Sequence, residues 1–342
     1  MQVMRIVGVL LVAAAVRPVQ AQAPAVTVGG VGYAHYVYQL RDTLNHVNNF
    51  DVARAYINVN GRFDRVTTRV TPDIYRVADG SLAYRLKYAY VTYQTPGSPL
   101  TFKFGQMQTA WVDFEENLWD YRMQGNIALE RGDLLAPLAY VSSSDFGIGV
   151  DGKWGPDNVN GQVVLINGEN YNRAPGGKQK DLQARVSIRV MKTDDSSRTG
   201  GLRLSAYGQY GKPTSSGIRN RALGMISYRS KVVTLAAEAA VTRDSVTAPV
   251  LTKRSGRLIG AFAVVRVPNS KAGIIARIDL MDPNTATPNN RQTRIIAGAS
   301  YQLTPNLRTL LDLDHVSYEG GITTPALEAV RSQALFQVQF TF

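Results

Sequence analysis

Phe336-Gln337-Val338-Gln339-Phe340-Thr341-Phe342 closes the chain. Apolar and polar residues alternate along it, the period of a strand with two unlike faces. A strand lying on a sheet edge leaves a row of N–H and C=O groups unpaired. A terminal strand escapes that cost when the sheet curls round and the last strand pairs with the first. The segment therefore predicts a closed barrel whose final strand ends on an aromatic residue.

The other end reads as an export signal over residues 1–21. Arg5 supplies a basic start, Ile6 to Val16 an apolar run, and Val19-Gln20-Ala21 a small-residue cleavage site. The alternative site Ala21-Gln22-Ala23 would leave Pro24 after the cut, which favours cleavage after Ala21. The apolar run is too short for a membrane anchor, which needs roughly 20 residues. Residues 22–342 are then one barrel domain. With an export signal in front, a last strand ending on Phe342 resembles the final strand of bacterial outer-membrane barrels. That resemblance implies the barrel-assembly machinery as a partner.

The chain has 342 residues, 44% of them hydrophobic, and no cysteine, which removes disulfides, metal–thiolate sites and thiol nucleophiles. No other segment approaches the length of a membrane helix. A barrel wall escapes that test, because only every second residue faces lipid. The 17 tyrosines and 30 glycines suit such a wall. The formal charge of +12 falls by two to +10 once Arg5 and Arg17 leave with the signal. A basic exported protein can bind polyanions or acidic lipid, or pass anions, so the placement of the charges decides among these.

From Thr27 onward the chain divides into about sixteen alternating segments joined in turn by short and long connectors. Short turns are expected at Asn60-Gly61, Thr95 to Pro99, Gly155 to Asn158, Ser230-Lys231, Pro268 to Ser270 and Thr304 to Asn306, with a longer polar turn at Lys192 to Gly201. Longer connectors are expected near 41–50, 77–81, 107–141, 168–180, 211–219, 243–256, 282–291 and 319–330. This is the rhythm of periplasmic turns and external loops, and an even strand number puts both termini in the periplasm.

A soluble sandwich alternates too, but its polar face carries mixed charge. Here that face is dominated by arginine: Arg54, Arg65, Arg69, Arg85, Arg185 and Arg189 oppose Ala55, Val66, Val70, Leu86, Val186 and Ile188. An arginine at the lipid midplane costs ~2–4 kcal/mol, so turning several outward would cost on the order of 10 kcal/mol. The apolar face must meet lipid and the arginine face the lumen. Arg266 departs from this pattern beside the Pro268 turn, where a long side chain can reach the interface. Tyr33, Tyr36, Tyr38, Tyr56, Tyr84, Tyr88, Tyr90 and Tyr93 crowd the early strands, where those facing lipid would form interfacial girdles.

Arg54-Ala-Tyr-Ile-Asn-Val-Asn-Gly61, Leu86-Lys-Tyr-Ala-Tyr-Val-Thr-Tyr93, Leu100-Thr-Phe-Lys-Phe-Gly-Gln-Met107 and Ser144-Asp-Phe-Gly-Ile-Gly149 resemble the phosphate-selective porin O and P family. Asn167-Gly168 does so too, and Arg277 to Pro283 and Tyr301 to Leu307 resemble stretches common among porins generally. The resemblance implies an all-β, sixteen-stranded transmembrane barrel, usually a homotrimer and a passive channel, whose third external loop folds inward to narrow the pore. The longest connector, Met107 to Val141, is the third external one, and it holds Trp111, Phe114, Leu118, Trp119, Tyr121 and Leu129, more apolar bulk than a solvated loop needs. The chain departs from the family in the same place. Phosphate selectivity there implies basic residues on the inward loop, whereas this loop carries Asp113, Glu115, Glu116, Asp120, Glu130 and Asp133 against Arg122 and Arg131. A basic wall facing an acidic loop sets a transverse field and weakens anion selectivity, so phosphate specificity is not carried over.

On this register Arg54, Arg65, Arg69, Arg85, Lys87, Lys103, Arg185, Arg189, Arg203, Arg221, Arg257, Arg277, Arg294, Arg308 and Arg331 face inward, with Asp73, Asp145, Asp151, Glu238, Asp279, Asp312 and Asp314. Internal pairs are expected at Arg277 with Asp279 and at Arg308 with Asp312. Charged ladders set selectivity by attracting one sign of ion. The expected function is a passive outer-membrane channel for small hydrophilic solutes and ions with a modest anion preference, phosphate and other oxyanions included. No cofactor or metal is expected; the expected partners are outer-membrane lipid and small anions.

Other classes fit less well. A barrel enzyme needs a nucleophile and base at its rim, and only His35, His46 and His315 are available. Asp314 and His315, adjacent in a strand, point to opposite faces. A plugged transporter needs a long N-terminal domain, and few residues precede the first strand. A structural or adhesive barrel is the remaining alternative. The arginines are spaced along strands rather than clustered on one face of a helix, which argues against nucleic acid.

Overall fold

The computed structural model describes residues 24–134, 139–213, 217–247, 251–321 and 325–342. The expected signal peptide lies outside them. Sixteen antiparallel strands form one closed sheet in chain order. They are β1 (Ala25–Gln39), β2 (Asn48–Phe63), β3 (Val66–Arg76), β4 (Leu82–Gln94), β5 (Leu100–Gln108), β6 (Ser144–Trp154), β7 (Val159–Ile166), β8 (Asp181–Met191), β9 (Gly201–Gly211), β10 (Arg219–Arg229), β11 (Val233–Thr247), β12 (Leu251–Arg266), β13 (Ala272–Asp282), β14 (Gln292–Thr304), β15 (Leu307–Tyr318) and β16 (Ser332–Thr341).

Closure runs where the terminal heptapeptide indicated. β16 pairs with β1 from Thr341 opposite Val31 to Gln333 opposite Gln39. Phe342 extends the ladder, donating to the Gly30 carbonyl at 3.2 Å and accepting from the Gly30 N–H at 2.9 Å. No edge strand remains in the described sheet. The rings of Phe340 and Phe342 lie over Gly32 and Gly30 on β1, where a side chain would collide with them.

Two expected connectors are strand instead. Asn60-Gly61 is paired within β2, and the turn is Asp64-Arg65, with Asp64 in the left-handed conformation at φ 54°. Arg65 therefore occupies a turn at the barrel mouth. The expected connector 243–256 is largely hairpin, since pairing of β11 with β12 continues from Arg243–Ser255 to Thr247–Leu251.

Alternation sorts the two faces as the arginine argument requires. Leu182, Val186 and Ile188 are exposed on the outer face of β8, while Gln183, Arg185 and Ser187 are buried inside. Register shifts break the period at four places in the described sheet, two of them in the early strands. Tyr33 pairs with Arg54 but Ala34 with Val52, which leaves Ala53 extra. Thr71 pairs with Tyr88 but Pro72 with Leu86, which leaves Lys87 extra. Pro72 has no N–H to give the ladder, and a bulge is one of the few places a sheet admits proline. A bulge turns two consecutive side chains toward one side, and here Lys87 and Tyr88 both line the lumen. The freed Lys87 carbonyl accepts from Ser144 Oγ at 2.6 Å and Gln106 Nε2 at 3.1 Å.

The inner face is not uniformly polar. Val164 and Ile166 on β7, Leu223 and Met225 on β10, Leu258, Phe262 and Val264 on β12, Ile275 on β13, Ile296 on β14 and Leu310 on β15 are all buried. They form one cluster with side chains of the β5–β6 connector, which folds into the barrel.

The seam yields the first prediction. A Cβ at Gly30 would meet the Phe342 ring and lie 2.7 Å from the Tyr56 carbonyl oxygen. Gly30→Val is expected to lower barrel stability by about 1–3 kcal/mol. The temperature at which the folded, heat-modifiable gel band converts to the unfolded one should fall; an unchanged temperature would show that the seam tolerates a side chain.

Candidate functional site

The inward connector is built from α1 (Val112–Trp119), a short 3-10 turn (Arg122–Gln124) and α2 (Ala128–Arg131). Asp113 and Glu115 lie in the first turn of α1, where acidic side chains favour the helix dipole. Asp120 ends α1 in the left-handed conformation at φ 63°. The apolar bulk that marked this loop is all buried: Trp111, Phe114, Leu118, Trp119, Tyr121 and Leu129. Trp111 packs on Tyr207, and Trp119 on Phe262 with ring centroids 5.2 Å apart. Two tryptophans each removing roughly 200 Å² from water contribute about 5 kcal/mol apiece as an upper bound. The loop is thereby held on the β7–β15 side of the lumen.

Polar contacts fix where it lands. Arg277 on β13 reaches Glu115 at 2.9 Å, Glu238 at 3.4 Å and Asp279 at 2.9 Å, with Trp119 and Phe262 against its guanidinium. Glu115 also accepts from Trp111 Nε1 at 2.8 Å, and Arg131 of α2 binds Asp279 at 2.8 Å. The expected pair Arg277–Asp279 is thus the centre of a buried network joining wall and loop. Tyr121 Oη meets Ser300 Oγ at 2.7 Å, and Arg185 donates to the Ala110 carbonyl at 3.0 Å with Phe114 against its guanidinium.

On the opposite side a cavity of about 240 Å³ separates the loop from β1–β4 and β15–β16. Tyr33, Tyr56, Asn58, Arg69, Lys87 and Tyr88 line the wall side, and Asp113, Glu116, Asn117, Asp120 and Arg122 the loop side, with Arg308 between them. Lys87 sits against the Tyr56 ring at 4.8 Å, and Arg69 lies over Tyr88 at 4.7 Å. Burial pushes the Glu116 carboxyl up to about 7, with Glu130 adding to the shift, against the pull of Arg122 at 2.6 Å.

Residues 27–249 match the family described as phosphate-selective porin O and P. The chain belongs to that family. No curated protein sequence matches the chain. Among solved structures, OmpT of Vibrio cholerae in a trimer form superposes with a TM-score of 0.63 at 9% identity, covering 94% of this chain and all of that one. OmpF of Salmonella typhi gives 0.64 at 12% identity, covering 93% and 97%. A porin of Rh. blastica gives 0.56 at 12%, covering 93% and 100%. These likenesses establish the fold: the barrel is that of an outer-membrane porin.

In this porin most of the inward cations are matched by carboxylates. Arg54 and Arg85 share Asp73 at 2.9 and 3.2 Å, and Lys103 pairs with Asp151 at 2.5 Å. Arg189 and Arg203 both approach Asp157 in the β6–β7 turn, at 3.7 and 3.6 Å. Arg294 binds Asp314. On the loop Asp113 pairs with Arg198 at 3.0 Å, and Arg122 lies 3.6 Å from Glu130. Arg308 does not pair with Asp312: it reaches Asp120 at 3.3 Å and Gln339 at 2.8 Å, while Asp312 accepts from Gln337. The loop supplied a partner that strand spacing could not show. Arg266 likewise points inward to Asp120 at 3.1 Å. Arg257 is exposed on the outer face beside Ile259, one step out of the expected register, because the even positions of β12 carry the apolar residues that meet the loop.

Arg69, Lys87 and Arg185 make no ion pair among the described residues. Arg69 donates to Asn58 at 2.8 Å and Thr71 at 2.9 Å, and Lys87 to Tyr56 Oη at 3.3 Å. Arg185 is covered by the loop, so only Arg69 and Lys87 of these three line the cavity. The tyrosines divide. Tyr33, Tyr56, Tyr88 and Tyr90 face inward around these cations, and Tyr38, Tyr84 and Tyr93 are exposed outside. Residues on the inner wall beneath the loop were missed from alternation, yet they had a signal: Leu258 to Val265 is apolar at nearly every position, as a strand covered on both faces should be.

Removing one partner of a buried ion network leaves the others uncompensated. Arg277→Ala is expected to cost about 3–5 kcal/mol and release the loop from the wall. The gel-band conversion temperature should drop and single-channel conductance rise; a variant with wild-type conductance would mean that apolar packing alone seats the loop.

Proposed function

We propose that this porin is a passive channel for small hydrophilic solutes and ions with a modest anion preference and no high-affinity phosphate site. The observation that carries this reading is the charge of the constriction. Arg69, Lys87, Arg122 and Arg308 line it against Asp113, Glu116 and Asp120, a surplus of one positive charge. Opposed rows of charge across a lumen no wider than a Debye length of roughly 8 Å act with incomplete screening. A small surplus biases ion entry rather than dictating it. High-affinity oxyanion binding needs several unpaired donors converging on one point. Here two wall cations lack carboxylates, and three carboxylates face them, so phosphate and other oxyanions pass without a tight site. The family name supports passage of anions; the loop composition argues against strong selection among them.

The remaining assignments belong to the same reading. The chain is exported through a cleaved signal over residues 1–21, and its Phe342 strand is recognised during barrel assembly. It forms a homotrimer, which the trimeric form of OmpT and the apolar outer wall support.

Two measurements test this. In a planar bilayer under a steep KCl gradient, the reversal potential should be weakly anion-selective. Replacing both wall cations, as in Arg69→Gln with Lys87→Gln, should carry it through zero to cation selectivity. An unaltered potential in that variant would sink the assignment of the constriction. The second measurement is pH. Because the Glu116 carboxyl sits near 7, it is charged above that value and neutral below it. Lowering the pH from about 8 to about 6 removes one negative charge and should strengthen the anion preference. Glu116→Gln should show the stronger preference at both values and lose the step; a step that survives in this variant belongs to another group.

A further inference from the structure

The outer face of β12 is apolar from Val265 up to Ile259, about 20 Å along the strand by its rise per residue. The next outward positions are Arg257, Ser255 and Lys253, all exposed. On β11 the apolar face ends at Val241, directly opposite Arg257, and the next outward residue is the exposed Arg243, opposite Ser255. Arg257, Arg243 and Lys253 therefore step diagonally across one hairpin, with neighbouring Cβ atoms on the order of 7 Å apart. None of the three makes an ion pair among the described residues. Asp282 faces Arg257 across β13, but its carboxylate is 3.8 Å from Arg291, a further cation on the same rim that also lies 3.9 Å from Glu319. At the corresponding height β8 and β9 expose Leu182 and Tyr210 instead, so the cationic strip is local.

The strip lies on the long-connector side, immediately beyond the apolar belt. That is the depth of the outer-leaflet headgroups, which occupy roughly 5–7 Å on each side of the hydrocarbon. Unpaired cations on a lipid-facing wall repel one another unless anions lie between them. We propose that Arg243, Lys253 and Arg257 form a binding site for the phosphorylated headgroup of an outer-leaflet lipid. Guanidinium groups pair with phosphate oxygens through two parallel hydrogen bonds, and the apolar strand face below would receive the acyl chains.

The test uses the full-length folded porin in detergent and bisphosphorylated lipid A as the probe, with bound lipid read by native mass spectrometry. Wild-type protein should retain the lipid, and the triple variant Arg243→Ala, Lys253→Ala, Arg257→Ala should bind it at least tenfold more weakly. Arg243→Lys with Arg257→Lys keeps the charge and should retain most binding, which separates loss of the site from misfolding. Lys231→Ala with Lys271→Ala, at the opposite rim, should bind as wild type. Equal binding of dephosphorylated lipid A, or wild-type binding by the triple variant, would overturn the proposal. So would a triple variant that keeps the lipid but loses its oligomer, because the strip would then be an interface between copies. Inorganic phosphate alone should not displace the lipid at equal concentration; displacement would mark a simple anion site.

Discussion

Every backbone N–H and C=O that crosses the hydrocarbon must find its partner inside the protein, because lipid offers none. A sheet meets that condition only by closing on itself. The pairing of β16 with β1, completed by the mutual hydrogen bonds of Gly30 and Phe342, makes this barrel possible. The two glycines under the terminal aromatic rings belong to the same constraint. They let large side chains of the last strand lie flat over the first, which seals the seam from lipid where the chain itself is discontinuous.

Closure creates a second demand. A sixteen-stranded barrel has too wide a lumen for its own wall side chains to fill. The β5–β6 connector supplies the filling, and it does so asymmetrically. Its tryptophans and the Glu115–Arg277–Asp279 network hold it against β7–β15, where inward apolar residues receive it. The passage is left beside β1–β4. The loop also accounts for part of the charge balance, because Asp120, Glu115 and Asp133 pair with the wall arginines Arg266, Arg277 and Arg254. What lines the passage is Arg69, Lys87, Arg122 and Arg308 against Asp113, Glu116 and Asp120.

Arg54, Arg85, Arg185, Arg203, Arg277 and Arg294 lie on the inner side of their strands, whereas Arg65 lies in a turn and Arg257 on the outer face of β12. The difference is physical. In β8 one face is polar and the other apolar, so a period of two has one reading. In β12 both faces are apolar, lipid on one side and the loop on the other, and the period disappears. Bulges defeat alternation in another way. Pro72 is visible in the chain, but that its partner strand would spend an extra residue at Lys87, and so turn both Lys87 and Tyr88 inward, depends on which strand pairs with it. The turn at Asp64-Arg65 was displaced from Asn60-Gly61 because pairing with β1 continues through Gly61, a contact far away in sequence.

Local chemistry in the chain determined the class of the fold, the closing strand, the lipid and lumen faces of most strands and the identity of the constricting loop. All of these rest on interactions between near neighbours or between a residue and its solvent, and alternation, charge and apolar bulk record them directly. Only the tertiary structure decided which carboxylate meets which arginine, and hence which two cations stay unpaired at the constriction. Those pairs join residues more than a hundred positions apart, such as Arg308 with Asp120 and Arg277 with Glu115. Their geometry is set by where the loop docks, and docking depends on the shape of an inner wall that exists only once the barrel has closed.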